Sequence, residues 1–298
     1  MQAISIGQFG GPEQLTVAQL PDPSAAAGEL VIEVAAVGVN RVDVLVRTGR
    51  YHRAGKPPLV LGVEGAGTVL AVVAGVQGFR VGDRVLAMGE TNKPGFYADR
   101  AVVPATAAVR VPDSVDLPSA ASLPTAWLSA WYCLRRLADV RRGEFVLLNA
   151  AASGVGSAAV QIAVDAGATV IATAGSPEKV HWVEGLGAHQ VLDSSATDSG
   201  ALLDEVGRLT EGRGVNVAFD LVGGQAVADS LKAVGYGGVL AMANPRPDLT
   251  ELLDALAVGR FTVPVDATFP LAQAGDAHRY LEQRANRGKV LLSVGGRP

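Results

Sequence analysis

A turn of mostly small residues, Ala150–Gly156 (AAASGVG), follows an apolar run at Phe145–Leu148 and opens a segment of helical spacing. That arrangement suits one kind of chemistry. Small side chains let the backbone approach a pyrophosphate, and the free N–H groups at the positive end of a helix hold its charge. Ala152, Ser153, Gly154, Val155 and Gly156 are therefore candidate phosphate-binding positions. In the G-x-G-x-x-G register the turn reads Ala151, Ser153, Gly156, so only the third glycine is kept. The signal rests on its context of strand, turn, helix and strand rather than on the glycines.

The second apolar run, Thr169–Ala174, ends in Gly175-Ser176, without the acid that would grip the ribose 2′-hydroxyl of NAD. Ser176 and Lys179 stand there instead, and a hydroxyl with an ammonium suits a 2′-phosphate better than a diol. The expected cofactor is NADP(H).

The elements that must position these residues follow from periodicity. Val155, Ala159, Ile162, Ala163 and Ala166 recur on one helical face, and Gly167 closes that helix. Helical and apolar segments alternate from Trp127 onward, predicting strands at Phe145–Leu148, Thr169–Ala174, Gln190–Leu192, Val215–Leu221 and Gly238–Ala243. These five form an open parallel sheet of the doubly wound, Rossmann kind. Before about residue 122 the pattern differs: β-rich runs at Glu29–Val39, Gly67–Val73 and Arg84–Met88 are broken by Gly and Pro, as in a compact β domain. The tail from Leu271 to Val294 returns to a helix and a strand that pack on this first domain. The expected domains are 1–122 with 262–298, and 123–261.

The chain has 298 residues, 49% of them hydrophobic and 18% charged, with a net charge of −4. No basic block appears, so nucleic acid is not an expected partner. The single cysteine, Cys133, rules out an intramolecular disulfide and a cysteine-rich zinc site. No apolar run reaches membrane-spanning length and no leader pattern opens the chain, so the expected location is the cytoplasm.

Several motifs resemble the zinc-independent quinone oxidoreductase branch of the medium-chain dehydrogenase/reductase superfamily, the branch of ζ-crystallin. They are GGPEQL at Gly10–Leu15, GVNRVD at Gly38–Asp43, LGVEGAGTV at Leu61–Val69, VGDRV at Val81–Val85, AAASGVGSAAVQIA at Ala150–Ala163, FDLVG at Phe219–Gly223 and RGKVLL at Arg287–Leu292. The resemblance implies a GroES-like catalytic domain and a Rossmann domain with nicotinamide and substrate in a cleft. The zinc-dependent cousins carry a Cys where this chain has Asn40 and a His where it has Val63, so the resemblance implies no metal.

Roles then carry over by position. Asn40 resembles the residue that faces the nicotinamide, where its amide can donate or accept, and Tyr51 an aromatic wall of the substrate pocket. Asn40 and Tyr51 are the catalytic candidates, Tyr51 as the one side chain able to supply a proton. Ser129, Val222, Gly223, Asn244 and Arg284 match positions that meet the cofactor, while Asp43 and Glu64 orient turns. This chain departs from the family at Leu45 and Ser194, each of which replaces a Tyr, and after Asn244. There only Pro245–Asp248 precedes the next helix, near Leu249, leaving no room for a sixth strand. Since that strand commonly forms the dimer interface, a monomer or an atypical homodimer is expected.

The expected reaction is hydride transfer from NADPH to a quinone. The alternatives are reduction of an enone, an alkenal or an enoyl thioester, the last as in polyketide synthesis, and a non-enzymatic NADPH-binding role of the crystallin kind.

Overall fold

The computed structural model describes residues 1–91, 93–241 and 249–295. Strands β1 (Gln2–Ile6), β2 (Thr16–Gln19) and β3 (Glu29–Val39) lead to a short helix, α1 (Arg41–Arg47). Then come β4 (Leu59–Val60), β5 (Glu64–Val72), β6 (Arg84–Met88), β7 (Arg100–Pro104), β8 (Ala108–Arg110) and α2 (Leu117–Ala121). The second stretch runs α3 (Leu128–Trp131), β9 (Phe145–Leu148), α4 (Gly154–Asp165), β10 (Thr169–Ala174), α5 (Pro177–Glu184), β11 (Gln190–Asp193), α6 (Ser199–Leu209), β12 (Val215–Phe219), α7 (Gln225–Ala233) and β13 (Val234–Ala241). The chain finishes with α8 (Leu249–Ala257), β14 (Val265–Pro270), α9 (Ala274–Glu282) and β15 (Lys289–Ser293).

Two compact units result, Met1–Thr125 with Leu249–Pro298, and Ala126–Asp248. By its contacts α8 goes with the first unit, whereas the sequence expectation assigned residues 249–261 to the second.

In the first unit a large mixed sheet has the order β14-β15-β3-β5-β6-β8, with β7 also paired to β3. A smaller sheet has the order β2-β1-β4. Strand β3 alternates buried residues such as Leu30, Ile32 and Val34 with less buried ones, as a strand with one face on a core must. These join Ile4, Ile6, Val85, Phe96 and Leu292 in one apolar core. The alternation in β14 is weaker, and that strand was absent from the sequence expectation.

In the second unit the five described strands are all parallel, in the order β11-β10-β9-β12-β13. The chain thus works outward from β9 on one side and then the other, and the switch in direction lies between β9 and β12. Ligands of such sheets bind beyond the carboxyl ends of the strands at that switch. Leu147, Ile171 and Ala218 on the sheet pack with Leu202 and Val206 of α6 and Ala233 of α7. Helix α4 is buried on more of its circumference than one stripe, through Gly156–Val160, Ile162 and Ala163, because α3 packs on it as well as the sheet. Among the described strands β13 is an edge, the place expected for Gly238–Ala243, and it begins earlier, at Val234. Residues 242 and 243, and the loop 245–248 on which the missing-strand argument rested, lie outside the described residues. Residues 123–137 are helical, with wide π-type turns at Leu123–Trp127 and Tyr132–Leu137 around α3.

Candidate functional site

The bend after β9 is built by backbone proximity. A Cβ at Gly156 would overlap the Ala150 carbonyl and the Ala151 backbone, so no other residue lets α4 start this close to the strand. Ser153 caps the helix, its hydroxyl accepting from the Gly156 amide at 3.0 Å. The first amides of any α-helix lack intrahelical acceptors, and here the cap satisfies only Gly156, leaving Gly154 and Val155 to face an anion. Ala151 and Ala152 are buried beneath the turn. Ala150 has φ 53°, the left-handed region where a Cβ is strained. A dinucleotide phosphate fits this bend.

A polar layer under the bend was not anticipated from the sequence. Asn149 Nδ2 donates to Asp220 Oδ1 at 3.1 Å and to Ser230 Oγ at 2.8 Å, while its Oδ1 accepts from Thr173 Oγ1 at 3.2 Å. All four side chains are buried. They tie the carboxyl ends of β9, β10 and β12 to α7. The other oxygen of Asp220 accepts from the amides of Val222 and Gly223, the latter at 2.7 Å, and so shapes the loop expected to meet the cofactor.

At the end of β10, Ser176 caps α5 by accepting from the Lys179 amide at 3.4 Å. Ser194, one of the departures from the family, donates its hydroxyl to the Ala174 carbonyl at 3.2 Å and so lies beside the same strand end. The register also sets Asp193 opposite Ala174. One oxygen of that carboxylate, Oδ1, accepts from the amide and hydroxyl of Ser195 at 2.9 and 2.6 Å. Ser129 is buried on α3.

In the first unit, sheet register assembles a second site from distant residues. Val290 of β15 lies opposite Val39 of β3, which brings Lys289 beside Asn40. Val37 lies opposite Gly65 of β5, which brings Glu64 beside Gly38. Lys289 Nζ reaches Glu64 Oε1 at 2.5 Å and donates to Asn40 Oδ1 at 2.6 Å, across 249 residues of sequence. Asn40 Nδ2 donates to Glu64 Oε1 at 2.7 Å and to the Gly38 carbonyl at 3.2 Å. Glu64 Oε2 accepts from the Thr125 amide at 2.6 Å. A side chain at Gly38 would collide with the Glu64 carboxylate. Asn40, Glu64 and Lys289 are 8%, 0% and 5% exposed.

Asp43 accepts from the Asn40 amide at 2.8 Å and orients the start of α1, the turn-ordering role expected of it. Burial raises its carboxyl from 3.8 to about 7, with the Glu64 charge adding to the effect and the Asn40 amide and the Lys289 ammonium opposing it. Glu64 does more than orient a turn: it is half of a buried ion pair. Of the two roles open to the Asn40 amide, donor and acceptor, the cluster uses up the first. Both of its N–H groups are spent within the cluster, and one acceptor lone pair remains.

Tyr51 is half-buried against the core, its ring 5.2 Å from that of His52. Leu45 is half-buried on α1. Residues on either side of the Glu90–Lys93 stretch bond to the segment Val60–Val63 that precedes Glu64: Gly89 donates to the Val63 carbonyl at 2.8 Å, Gly95 to Val60 at 2.9 Å and Phe96 to Gly62 at 3.0 Å. Arg284 is exposed, with φ 54°, just beyond α9. Asn244 lies outside the described residues.

A third buried polar group sits in the same unit. Tyr97 Oη and His278 Nε2 are 2.9 Å apart, and fully buried Arg47 pairs with Glu282 at 2.6 Å. Burial, helped by the Arg47 cation, depresses His278 from 6.5 to about 3, so the ring is neutral. Among the described residues no group of three or more His, Cys, Asp or Glu side chains is placed to hold a metal ion.

A nucleotide-binding unit of this topology, joined to a β-rich unit with a polar cluster at converging strand ends, defines a two-unit pyridine-nucleotide dehydrogenase or reductase. Residues 26–113 match the alcohol dehydrogenase GroES-like domain, and residues 154–253 and 239–292 match zinc-binding dehydrogenase domains. A 2-haloacrylate reductase from a Burkholderia species is 31% identical over 98% of this chain and 98% of its own. A quinone oxidoreductase of Pseudomonas aeruginosa is 31% identical over 97% of this chain and 98% of its own. A mycocerosic acid synthase-like polyketide synthase of Mycobacterium tuberculosis is 30% identical over 90% of this chain, a match that spans 14% of the synthase. Among solved structures, an NAD-dependent alcohol dehydrogenase superposes with TM-score 0.92 at 31% identity, covering 99% of this chain and 100% of its own. The Escherichia coli quinone oxidoreductase complexed with NADPH superposes with TM-score 0.88 at 29% identity, covering 98% and 100%. The chain belongs to the zinc-independent quinone oxidoreductase branch of the medium-chain dehydrogenase/reductase superfamily.

Proposed function

We propose that this protein is an NADPH-dependent reductase that delivers hydride to a quinone, with Asn40 and Tyr51 as the residues addressing nicotinamide and acceptor. The observation that carries the choice of acceptor is the saturation of Asn40. Its two N–H groups serve Glu64 and Gly38, so it has none to offer a substrate oxygen that gains charge. A quinone tolerates that, because a hydroquinone oxygen takes its proton from water.

NADPH, when bound, supplies the hydride from C4 of its ring. The protein's part is placement. The bend at Ala152–Gly156 holds the pyrophosphate through backbone amides, and the Asp220-ordered loop at Val222 and Gly223 lines the cofactor, as does Ser129. Ser176 and Lys179 receive the 2′-phosphate, and Arg284 approaches from the C-terminal segment. Asp193, the acid at the end of the neighbouring strand, has its Oδ1 turned onto Ser195.

The second reading is reduction of an activated double bond, favoured by the likeness to 2-haloacrylate reductase and to the polyketide synthase segment. An enolate then needs a proton, and Tyr51 is the side chain to give it. Side-by-side turnover of 1,4-benzoquinone, a 2-alkenal, 2-chloroacrylate and an enoyl thioester, each with NADPH and NADH, separates these. Quinone turnover with NADPH and little with the alkenes is expected; turnover of an alkene alone overturns the quinone reading. Tight NADPH binding without turnover of any acceptor returns the non-enzymatic role. With β13 an edge among the described strands, light scattering is expected to give a monomer or an unusual dimer.

A further inference from the structure

We propose that Lys289 is a positioning residue that fixes which way round the Asn40 amide lies and thereby makes Asn40 an acceptor toward the cofactor. The inference rests on the reading that Asn40 faces the nicotinamide, and it assigns the direction of that contact.

An asparagine amide is close to symmetric in shape, so its orientation is decided by its neighbours. Here the neighbours are unambiguous. The oxygen faces an ammonium at 2.6 Å, while the nitrogen faces a carboxylate at 2.7 Å and a carbonyl at 3.2 Å. Turning the amide over would set its NH2 against Lys289 and its oxygen against both Glu64 and Gly38. All three contacts would become like against like. The site is nearly dry, so these contacts are weakly screened. In the observed orientation both N–H groups are committed and one lone pair of Oδ1 remains. That lone pair takes an N–H donor. The carboxamide NH2 of a nicotinamide is such a donor, whereas a substrate carbonyl oxygen is not.

Glu64 and Lys289 act together. The carboxylate holds the ammonium, and Thr125 holds the second carboxylate oxygen at 2.6 Å, so neither end of the pair can drift. Register sets the whole arrangement: Lys289 opens β15 opposite the end of β3, and its own amide is tied to the Pro264 carbonyl at 2.8 Å.

The test compares NADPH with its reduced 3-acetylpyridine analogue, in which a methyl ketone replaces the carboxamide and no N–H is left. The full chain is assayed with benzoquinone, and cofactor affinity is read from nucleotide fluorescence. The variants are the wild type, Asn40→Ala, the paired replacement Glu64→Gln/Lys289→Met, and Lys289→Arg. The paired replacement removes both charges at once, which spares the fold an unpaired buried ion. The carboxamide that it puts in place of the Glu64 carboxylate can donate or accept, so the Asn40 amide is free to turn.

The wild type is expected to prefer NADPH over the analogue. The paired replacement should lower kcat/KM with NADPH about 10- to 100-fold, the scale of a misplaced positioning group. It should also shrink the preference for NADPH to within about 3-fold of none, because a freed amide can donate to the acetyl oxygen. Comparing the ratio across variants cancels the analogue's own hydride affinity. Lys289→Arg keeps the cation and should retain the preference, which also serves if the paired replacement fails to fold. An equal loss with both cofactors, leaving the ratio unchanged, would make Lys289 merely structural and overturn the proposal. So would a Lys289→Arg variant that loses the preference while remaining folded. If Asn40→Ala leaves the ratio at its wild-type value, the placement of Asn40 over the nicotinamide fails instead. If Asn40→Ala collapses the ratio and the paired replacement does not, that placement stands and the role given to Lys289 is lost.

Discussion

Both units carry a buried polar network at the ends of strands, and the two are made differently. In the nucleotide-binding unit Asn149, Thr173, Asp220 and Ser230 hold three adjacent strand ends together with mostly neutral bonds, one carboxylate among them. In the first unit Asn40, Glu64 and Lys289 centre on an ion pair whose members, Lys289 and Glu64, are 5% and 0% exposed. Neutral networks lose one bond at a time when broken. A buried ion pair behaves otherwise, because removing either partner strands the other charge in a medium that cannot solvate it. The network around the ion pair should therefore be brittle and the neutral one forgiving.

Lys289→Met by itself gives the sharpest contrast. It leaves Glu64 buried and unpaired, and should cost about 3–5 kcal/mol in urea unfolding, most of it recovered by adding Glu64→Gln. A cost under about 1 kcal/mol would mean that water reaches the pair and that the two networks are alike.

The next largest effect depends on pH and lies wholly in the first unit. Asp43 titrates at about 7 when folded against 3.8 when free, so the native state holds a proton that the unfolded state has lost. Its contribution makes stability fall as pH rises through that window. His278 titrates at about 3 against 6.5, so the unfolded state holds the extra proton and stability falls as pH drops. The two slopes oppose between pH 3.8 and 6.5 and should nearly cancel. Asp43→Asn should unmask a loss on acidification of about 1 kcal/mol per pH unit, and His278→Gln a loss on the alkaline side of similar size. Chemical denaturation at about pH 4, 5 and 6, inside that window, measures both; parallel curves for the three proteins would contradict the assignments.

Asn149→Ala tests the gentler network. It leaves Thr173, Ser230 and one oxygen of Asp220 short of a partner and should cost about 1–3 kcal/mol, less than Lys289→Met. NADPH affinity should also drop, since Asp220 shapes the 222–223 loop. Unaltered affinity would separate that loop from the cofactor. Smallest of all, Ala150→Gly relieves a left-handed alanine and should add about 0.5–1 kcal/mol in thermal unfolding. A loss would show that the Ala150 side chain packs to advantage.

The contrast between the networks is also a contrast in legibility. The nucleotide-binding bend is local: Phe145 to Lys179 contains its strand, turn, cap and second strand, and each of those steps is a short-range preference for spacing, capping or small side chains. Strands β9 and β10 fall at the bounds their periodicity predicts. Asn149 and Thr173 lay inside that stretch unnoticed, because a lone polar residue at a strand end looks like surface until neighbouring strands bury it. Lys289 lay inside a recognised run, Arg287–Leu292, and drew no attention, since most lysines are solvated.

What sequence alone determined, then, is everything that period and local chemistry encode: the two kinds of unit, the parallel sheet, the tight bend after β9 and the presence of Asn40 at the end of a strand. What only tertiary structure decided is which partners that asparagine meets. Strand register brings residues 24 and 249 positions away against its amide, and nothing in the spacing of a linear chain specifies a pairing made across a sheet. The orientation of one side chain, and with it the kind of ligand atom it can accept, is a property of that register.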